Sequence, residues 1–192
     1  MTPSAQRPRT WLAALALAAV TAGCGNGARM ASNSEATAAA TIDPSVERAL
    51  RNPRIARMLK RCRVTRPNHR VPPGQGEDLG QAVADYHGNG QLWTVVSPRG
   101  VLVAGGGDVR RDGSISRKFP WWRGVHGDLQ ITGSRLDART ARLRAHIPSG
   151  YGPTGFQSSA IIFATEGCWQ VTGSAGNAQL RFVTLVVKAR TD

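Results

Sequence analysis

The sequence predicts an all-β fold, an immunoglobulin-like antiparallel β-sandwich, behind an export signal, a tether and a short basic helical segment. Three observations carry this. About seven short runs of alternating or continuous apolar residues follow one another over roughly 120 residues, with no long helical pattern among them. Turn signals separate them at Asp112-Gly113, Gly124, Ser149-Gly150, Glu166-Gly167 and Gly176-Asn177. The 192 residues include 22 Gly and 11 Pro, a composition of strands and turns and not of a helical bundle.

The first segment, residues 1–23, has Arg7 and Arg9 ahead of an apolar run from Trp11 to Val20 and ends in small residues before Cys24. This reads as a signal peptide, too short to span a bilayer permanently. The Thr21-Ala22-Gly23-Cys24 junction resembles the lipobox of bacterial lipoproteins, in which the cysteine is acylated and becomes the new N-terminus. Thr21 stands where a bulky aliphatic is usual, and plain secretion is the alternative. Residues 24–42 are Gly, Asn, Ala, Ser and Thr with few charges, the composition of a flexible tether.

Residues 43–61 form a basic, weakly helical segment. Asp43 or Ser45 offers a cap, Val46, Leu50, Ile55, Met58 and Leu59 recur at roughly helical spacing, and Pro53 divides the segment into two pieces. Arg48, Arg51, Arg54, Arg57, Lys60 and Arg61 surround these apolar positions. Of the formal charge of +13, +2 leaves with the signal peptide, residues 24–70 hold +7, and residues 71–192 only +4. Arg supplies 22 of the 25 basic residues, a skew that reflects base composition better than chemistry. The basic segment is the part of the chain suited to anionic lipid or a cell-wall polymer. An exported, anchored chain has no expected nucleic-acid partner.

The domain proper is expected over residues 62–192. Predicted strands are 91–97, 101–104, 129–133, 141–147, 159–164, 169–173 and 180–188, the first two joined as a hairpin through Pro98-Arg99-Gly100. With Cys24 acylated, Cys62 and Cys168 remain in an oxidising compartment, where one disulfide is the default and two buried thiols the alternative.

Five segments together resemble a family of secreted bacterial, largely actinobacterial, lipoproteins of uncharacterised function. They are Cys62-Arg63-Val64-Thr65-Arg66-Pro67-Asn68 with Pro72-Pro73-Gly74, His87-Gly88-Asn89-Gly90-Gln91-Leu92-Trp93, Lys118-Phe119-Pro120-Trp121-Trp122-Arg123, the stretch from Tyr151 to Ser159, and Glu166-Gly167-Cys168-Trp169-Gln170-Val171-Thr172-Gly173. The resemblance spans residues 62–188 and implies a secreted β-sandwich on a lipid anchor, with no activity or ligand attached. Arg63 and Ala164 stand where relatives would carry Pro.

Trp169 next to Cys168 reads as a cover for the bridge, as in antibody domains, and Trp169 and Val171 share a face by strand alternation. The four histidines, His69, His87, His126 and His146, show no metal-ligand spacing. His87 most simply precedes a tight Asn-Gly turn. Gly105-Gly106-Gly107 lacks the Lys and helix of a phosphate loop and reads as a hairpin tip. No nucleophile elbow or paired carboxylates are present. No cofactor and no catalytic residue are therefore assigned. The candidate binding surface is Trp121, Trp122, Arg123 and Tyr151, with one indole expected outside beside Arg123. The expected function is that of a non-enzymatic lipoprotein on the extracytoplasmic face of the cell membrane, binding an envelope protein or glycan. The alternatives are action through the basic arm and an enzyme with a dispersed site.

Overall fold

A computed structural model describes residues 43–75, 85–97 and 99–189. The export signal, Cys24 and the tether lie outside the described residues. Two short helices come first, α1 (Pro44–Leu50) and α2 (Pro53–Arg61). Both begin as the sequence dictates. Asp43 caps α1 by accepting from the Ser45 N–H at 2.7 Å, Asn52 caps α2 by accepting from the Arg54 N–H at 2.9 Å, and a proline opens each first turn.

Nine strands follow: β1 (Tyr86–Gly88), β2 (Leu92–Val95), β3 (Val101–Ala104), β4 (Ile115–Arg123), β5 (Gln130–Arg135), β6 (Arg144–His146), β7 (Gly155–Phe163), β8 (Gly167–Ala175) and β9 (Ala178–Lys188). They form two packed sheets, one of five strands in the order β1-β2-β4-β7-β6 and one of four in the order β3-β9-β8-β5. The all-β sandwich expected from the sequence is thus the fold. Every pairing is antiparallel except β3 with β9, which is parallel.

Two local expectations fail. The segments 91–97 and 101–104 are not a hairpin. β2 stays in the five-stranded sheet while β3 joins the other, and the chain between them crosses from sheet to sheet. A tight turn closes at the Gly100 N–H to Ser97 carbonyl bond, 2.7 Å, but the strands it joins find better partners elsewhere. The glycine run is not a hairpin tip either. Gly106–Asp108 is a single 3-10 turn, held by the Asp108 carboxylate accepting from the Gly105 N–H at 2.9 Å and from Arg117 at 2.8 Å.

Two strands escaped the sequence reading. β1 is only three residues long, and β4 carries Pro120 in its middle. A mid-strand proline is tolerated where its missing N–H faces an unpaired edge. Thr94 donates from its hydroxyl to the Pro120 carbonyl at 2.8 Å, which places that edge of Pro120 towards β2, and β2 ends one residue later at Val95.

The inter-sheet core is threaded by aromatic rings. Phe119 stacks on Phe182 at 5.8 Å and meets Phe163 edge-on at 6.3 Å, Phe163 meets Trp169 at 5.5 Å, and Trp121 tilts against Phe182 at 6.3 Å. Gly173 makes room for this packing. A Cβ there would lie 2.3 Å from the six-membered ring of Trp121, so any side chain would expel the indole from the facing sheet.

A second, smaller core lies on the outer face of the four-stranded sheet. Val46 of α1 and Ile55 of α2, with Cys62, pack against Val101, Cys168, Leu185 and Val187. The segment expected as a separate arm is therefore a third layer on the sandwich. Cys62 and Cys168 are joined, with Cα atoms 5.6 Å apart and 106 residues between them in sequence. The bridge ties α2 to β8 and does not cross between the sheets. Trp169 does not cover it, because adjacent strand residues face opposite ways: Trp169 and Val171 enter the inter-sheet core while Cys168 faces the helices. Beyond Cys62 the chain straps one side of the sandwich. Thr65 exchanges hydrogen bonds with Val183 of β9, and the Asn68 amide brackets Gly88 of edge strand β1, accepting from its N–H at 3.0 Å and donating to its carbonyl at 2.7 Å.

Removing the bridge with Cys62→Ala and Cys168→Ala is expected to cost about 2 to 5 kcal/mol in denaturant unfolding. Amide exchange in α1 and α2 should accelerate more than in β4 and β7, since the helix layer alone loses its covalent tie. Equal acceleration throughout would show that the layer does not depend on the bridge.

Candidate functional site

The segment Phe119–Arg123 sends alternate residues to opposite faces, and each face has a different task. Phe119, Trp121 and Arg123 point inward, whereas Trp122 points out of the five-stranded sheet. Trp121 is 1% exposed and Arg123 4% exposed. Both were expected to share in a binding surface and neither reaches it. Strand parity gives the reason: Arg123 is two residues from Trp121 and follows it inward.

Arg123 has no carboxylate partner among the described residues. Its guanidinium donates from Nη1 to the carbonyls of Gly127, 2.7 Å, and Pro153, 3.2 Å, and from Nη2 to that of Gly152. A buried cation is tolerated when carbonyl dipoles take up its N–H groups, and the planar fork reaches several at once. Here it joins the turn after β4 to the loop before β7. That loop carries Tyr151.

On the outer face a row of aromatic residues crosses the sheet in register. Trp93 of β2 lies opposite Trp122 of β4, which lies opposite Phe156 of β7. Tyr151, on the loop held by Arg123, meets Phe156 edge-on with centroids 6.1 Å apart. Trp93 is the fixed end of the row. Its indole lies over Gly88 of β1, where a Cβ would come within 2.0 Å of the ring, and it also closes on Gly124, so Trp93 is only 4% exposed. Trp122 is half-buried beside it. Phe156 at 49% and Tyr151 at 37% are exposed, and together with Leu136 they are the large apolar residues open to solvent among those described.

Trp93 and Phe156 were absent from the expected surface. The sequence puts Trp93 within the predicted strand 91–97 and Phe156 outside every predicted strand. Register pairing is what brings them beside Trp122, and a single sequence does not state register.

A cleft of about 310 Å³ opens where β2 leaves β4, between Val96, Leu102, Phe119 and Phe182, with α1 at its rim. Two of its four charged groups are already engaged. Hydrogen bonds from Ser45 hold the Asp43 carboxyl below the usual carboxylate range, and Arg117 is paired with Asp108. Burial pushes the Asp85 carboxyl up, against the opposing charge of His69. Burial also holds the His87 imidazole below its ordinary range, although a hydrogen bond with the Arg66 backbone pulls the other way. No group of three or more His, Cys, Asp or Glu residues poised to hold a metal occurs among the described residues.

The six basic residues of the helical segment, Arg48, Arg51, Arg54, Arg57, Lys60 and Arg61, are all exposed on the helix layer. Cys24 lies outside the described residues. No described helix is long and apolar enough to cross a membrane.

Replacing Arg123 by Met removes the three carbonyl bonds and leaves Gly127, Gly152 and Pro153 with lost partners. The expected cost is about 2 to 4 kcal/mol of stability in urea unfolding, with amide exchange rising first in the loops at 124–128 and 149–154. Loops that remain as protected as in the parent protein would contradict the assigned role. The chain matches no protein-family model and no curated protein.

Proposed function

We propose that this protein is a non-enzymatic, lipid-anchored envelope protein whose sandwich binds a glycan along the outer face of its five-stranded sheet. The observation that carries the reading is the aligned row of Trp93, Trp122 and Phe156 with Tyr151 at its open end. Adjacent strands are about 4.8 Å apart, so rings on three neighbouring strands form a strip about 10 Å long. The C–H face of a sugar ring is apolar and weakly positive, and it complements the negative face of an aromatic ring.

Size favours a glycan over a protein partner. A stable protein contact buries about 800 Å² on each side around an apolar centre. Here the open apolar surface is a strip of one half-buried indole and two exposed rings. A narrow strip suits a narrow ligand. The polar side chains around it, such as the exposed Gln91 and Lys118 and the half-buried Ser158, offer hydrogen bonds to hydroxyl groups. The strip is also prepared in advance. Trp93 is seated on glycine, and Arg123 fixes the loop of Tyr151, so little conformational freedom is lost on binding.

The anchor follows from Cys24 and the signal peptide before it. Acylation there places the protein on the extracytoplasmic face of the membrane, and the resemblance to actinobacterial secreted lipoproteins supports the same location.

Trp122→Ala and Phe156→Ala are each expected to weaken retention on purified peptidoglycan or envelope polysaccharide by about tenfold, with the circular dichroism unchanged. Retention of both variants at parental strength, or capture of a protein in place of a glycan, would remove the reading. Separately, growth with a fatty-acid analogue in a bacterium that processes lipoproteins is expected to label the parent protein and not Cys24→Ser. An unlabelled parent protein would argue against the lipid.

A further inference from the structure

The helix layer has two sides of opposite character. Ile55, Met58, Leu59 and Cys62 recur at helical spacing and join the small core on the four-stranded sheet. Arg54, Arg57, Lys60 and Arg61 are exposed, as are Arg48 of α1 and Arg51 at its C-terminal cap. Folding therefore leaves charges that the sequence spreads over two short helices on the outward side of the layer. Little on the protein neutralises them. Among the described residues Arg54 alone of these six is in an ion pair, with the half-buried Glu166 at 3.3 Å. Of the acidic residues on the same layer, Glu47 pairs instead with Arg99 at 3.6 Å and Asp43 caps α1. Like charges held together without partners raise the free energy of the folded domain. A surface that remains so positive is complementary to a polyanionic one.

The position of the layer selects which one. Asp43, the cap of α1, follows Cys24 by 19 residues. Even a fully extended chain of that length spans no more than about 65 Å. An acyl group on Cys24 therefore keeps the basic layer within that reach of the lipid headgroups. A lipid and a polybasic patch are the two signals that together make membrane attachment stable.

We infer that the outward surface of α1 and α2 docks on an anionic membrane, so that the domain lies with its helix layer against the lipid and its aromatic strip turned away from it. The two faces belong to opposite sides of the sandwich: the helices cover the four-stranded sheet, and Trp122 and Phe156 stand on the five-stranded one. Docking through one leaves the other open. The inference rests on the reading of Cys24 as a lipid anchor for its biological setting, but the electrostatic contact is a property of the folded domain alone.

The test separates these. Residues 24–192 carrying Cys24→Ser, with no lipid attached, are sedimented with vesicles of phosphatidylglycerol and phosphatidylcholine and with vesicles of phosphatidylcholine alone. Binding to the anionic vesicles only, falling steeply as salt rises, is the expected result. Arg48→Glu, Arg51→Glu, Arg57→Glu and Lys60→Glu together should reduce it at least about 100-fold. The corresponding four changes to Gln, which keep the helices unstrained, should reduce it by a smaller factor. Trp122→Ala should leave it unchanged. Equal binding to neutral vesicles, no binding to either, undiminished binding of both fourfold variants, or binding to soluble poly(glycerol phosphate) without binding to vesicles would each overturn the inference. Cys24 acylation is decided independently, by whether a fatty-acid label enters the parent chain and not Cys24→Ser.

Discussion

The architecture depends on one strand being buried on both sides. β9 alternates buried and exposed residues from Ala178 to Phe182 and then runs continuously buried from Thr184 to Val187. Leu180, Phe182 and Val186 face the inter-sheet core, while Leu185 and Val187 face outward. An outward apolar pair on a four-stranded sheet demands a cover. The chain supplies it with α1 and α2, and the cover fixes much else: which side of each helix is apolar, which side carries the arginines, and where a cysteine must stand to bridge the layer to β8. A disulfide alone would not hold two helices of seven and nine residues, which are too short to be stable in isolation. Apolar burial forms the layer, and the bridge keeps it from opening.

Covering one sheet leaves the other as the free face. That asymmetry explains why the aromatic strip lies on the five-stranded sheet. Its elements are positioned by residues that never touch solvent. Gly88 sets the height of Trp93, Thr94 satisfies the carbonyl of Pro120 where the strand loses its neighbour, and Arg123 draws two loops together under Tyr151. Arg123 shows why charge at a residue level is a poor guide to recognition. Its cation is spent internally on carbonyls, whereas the arginines of α1 and α2 remain available because helix packing directs them outward.

The fold class, the split helical segment with its Asp43 cap, and the pairing of Cys62 with Cys168 were legible because each rests on local pattern or on counting. What was not legible rests on register and parity. The hairpin expected at residues 91–104 rests on local turn and strand signals, yet β2 pairs with β1 and β4 while β3 pairs with β9 in the other sheet. Cys168 and Trp169 are adjacent, and adjacency suggested that they pack together, but neighbouring strand positions face opposite layers. Parity likewise sets Arg123 behind Trp122 and not beside it. The Leu185-Val186-Val187 run within β9 is the continuous apolar stretch of a strand covered on both faces, and it announced that some further element had to lie on the sheet.

Most of the segments that carried the family resemblance have structural tasks, and this bears on how function is to be located. Cys62, Thr65 and Asn68 form the strap, Gly88 and Asn89 shape the β1–β2 turn, and Gly167 to Gly173 supply the bridge, a core indole and the seat of Trp121. Trp122 is different. Its neighbours Trp121 and Arg123 are accounted for by packing and by carbonyl bonds, but a half-buried indole on an outer sheet face gains little for the fold that a smaller apolar residue would not supply. Trp93 seals against glycine; Trp122 and Phe156 extend that ring surface towards water instead of closing it. Folding leaves this aromatic surface open to water, and the proposed glycan contact rests on that open surface.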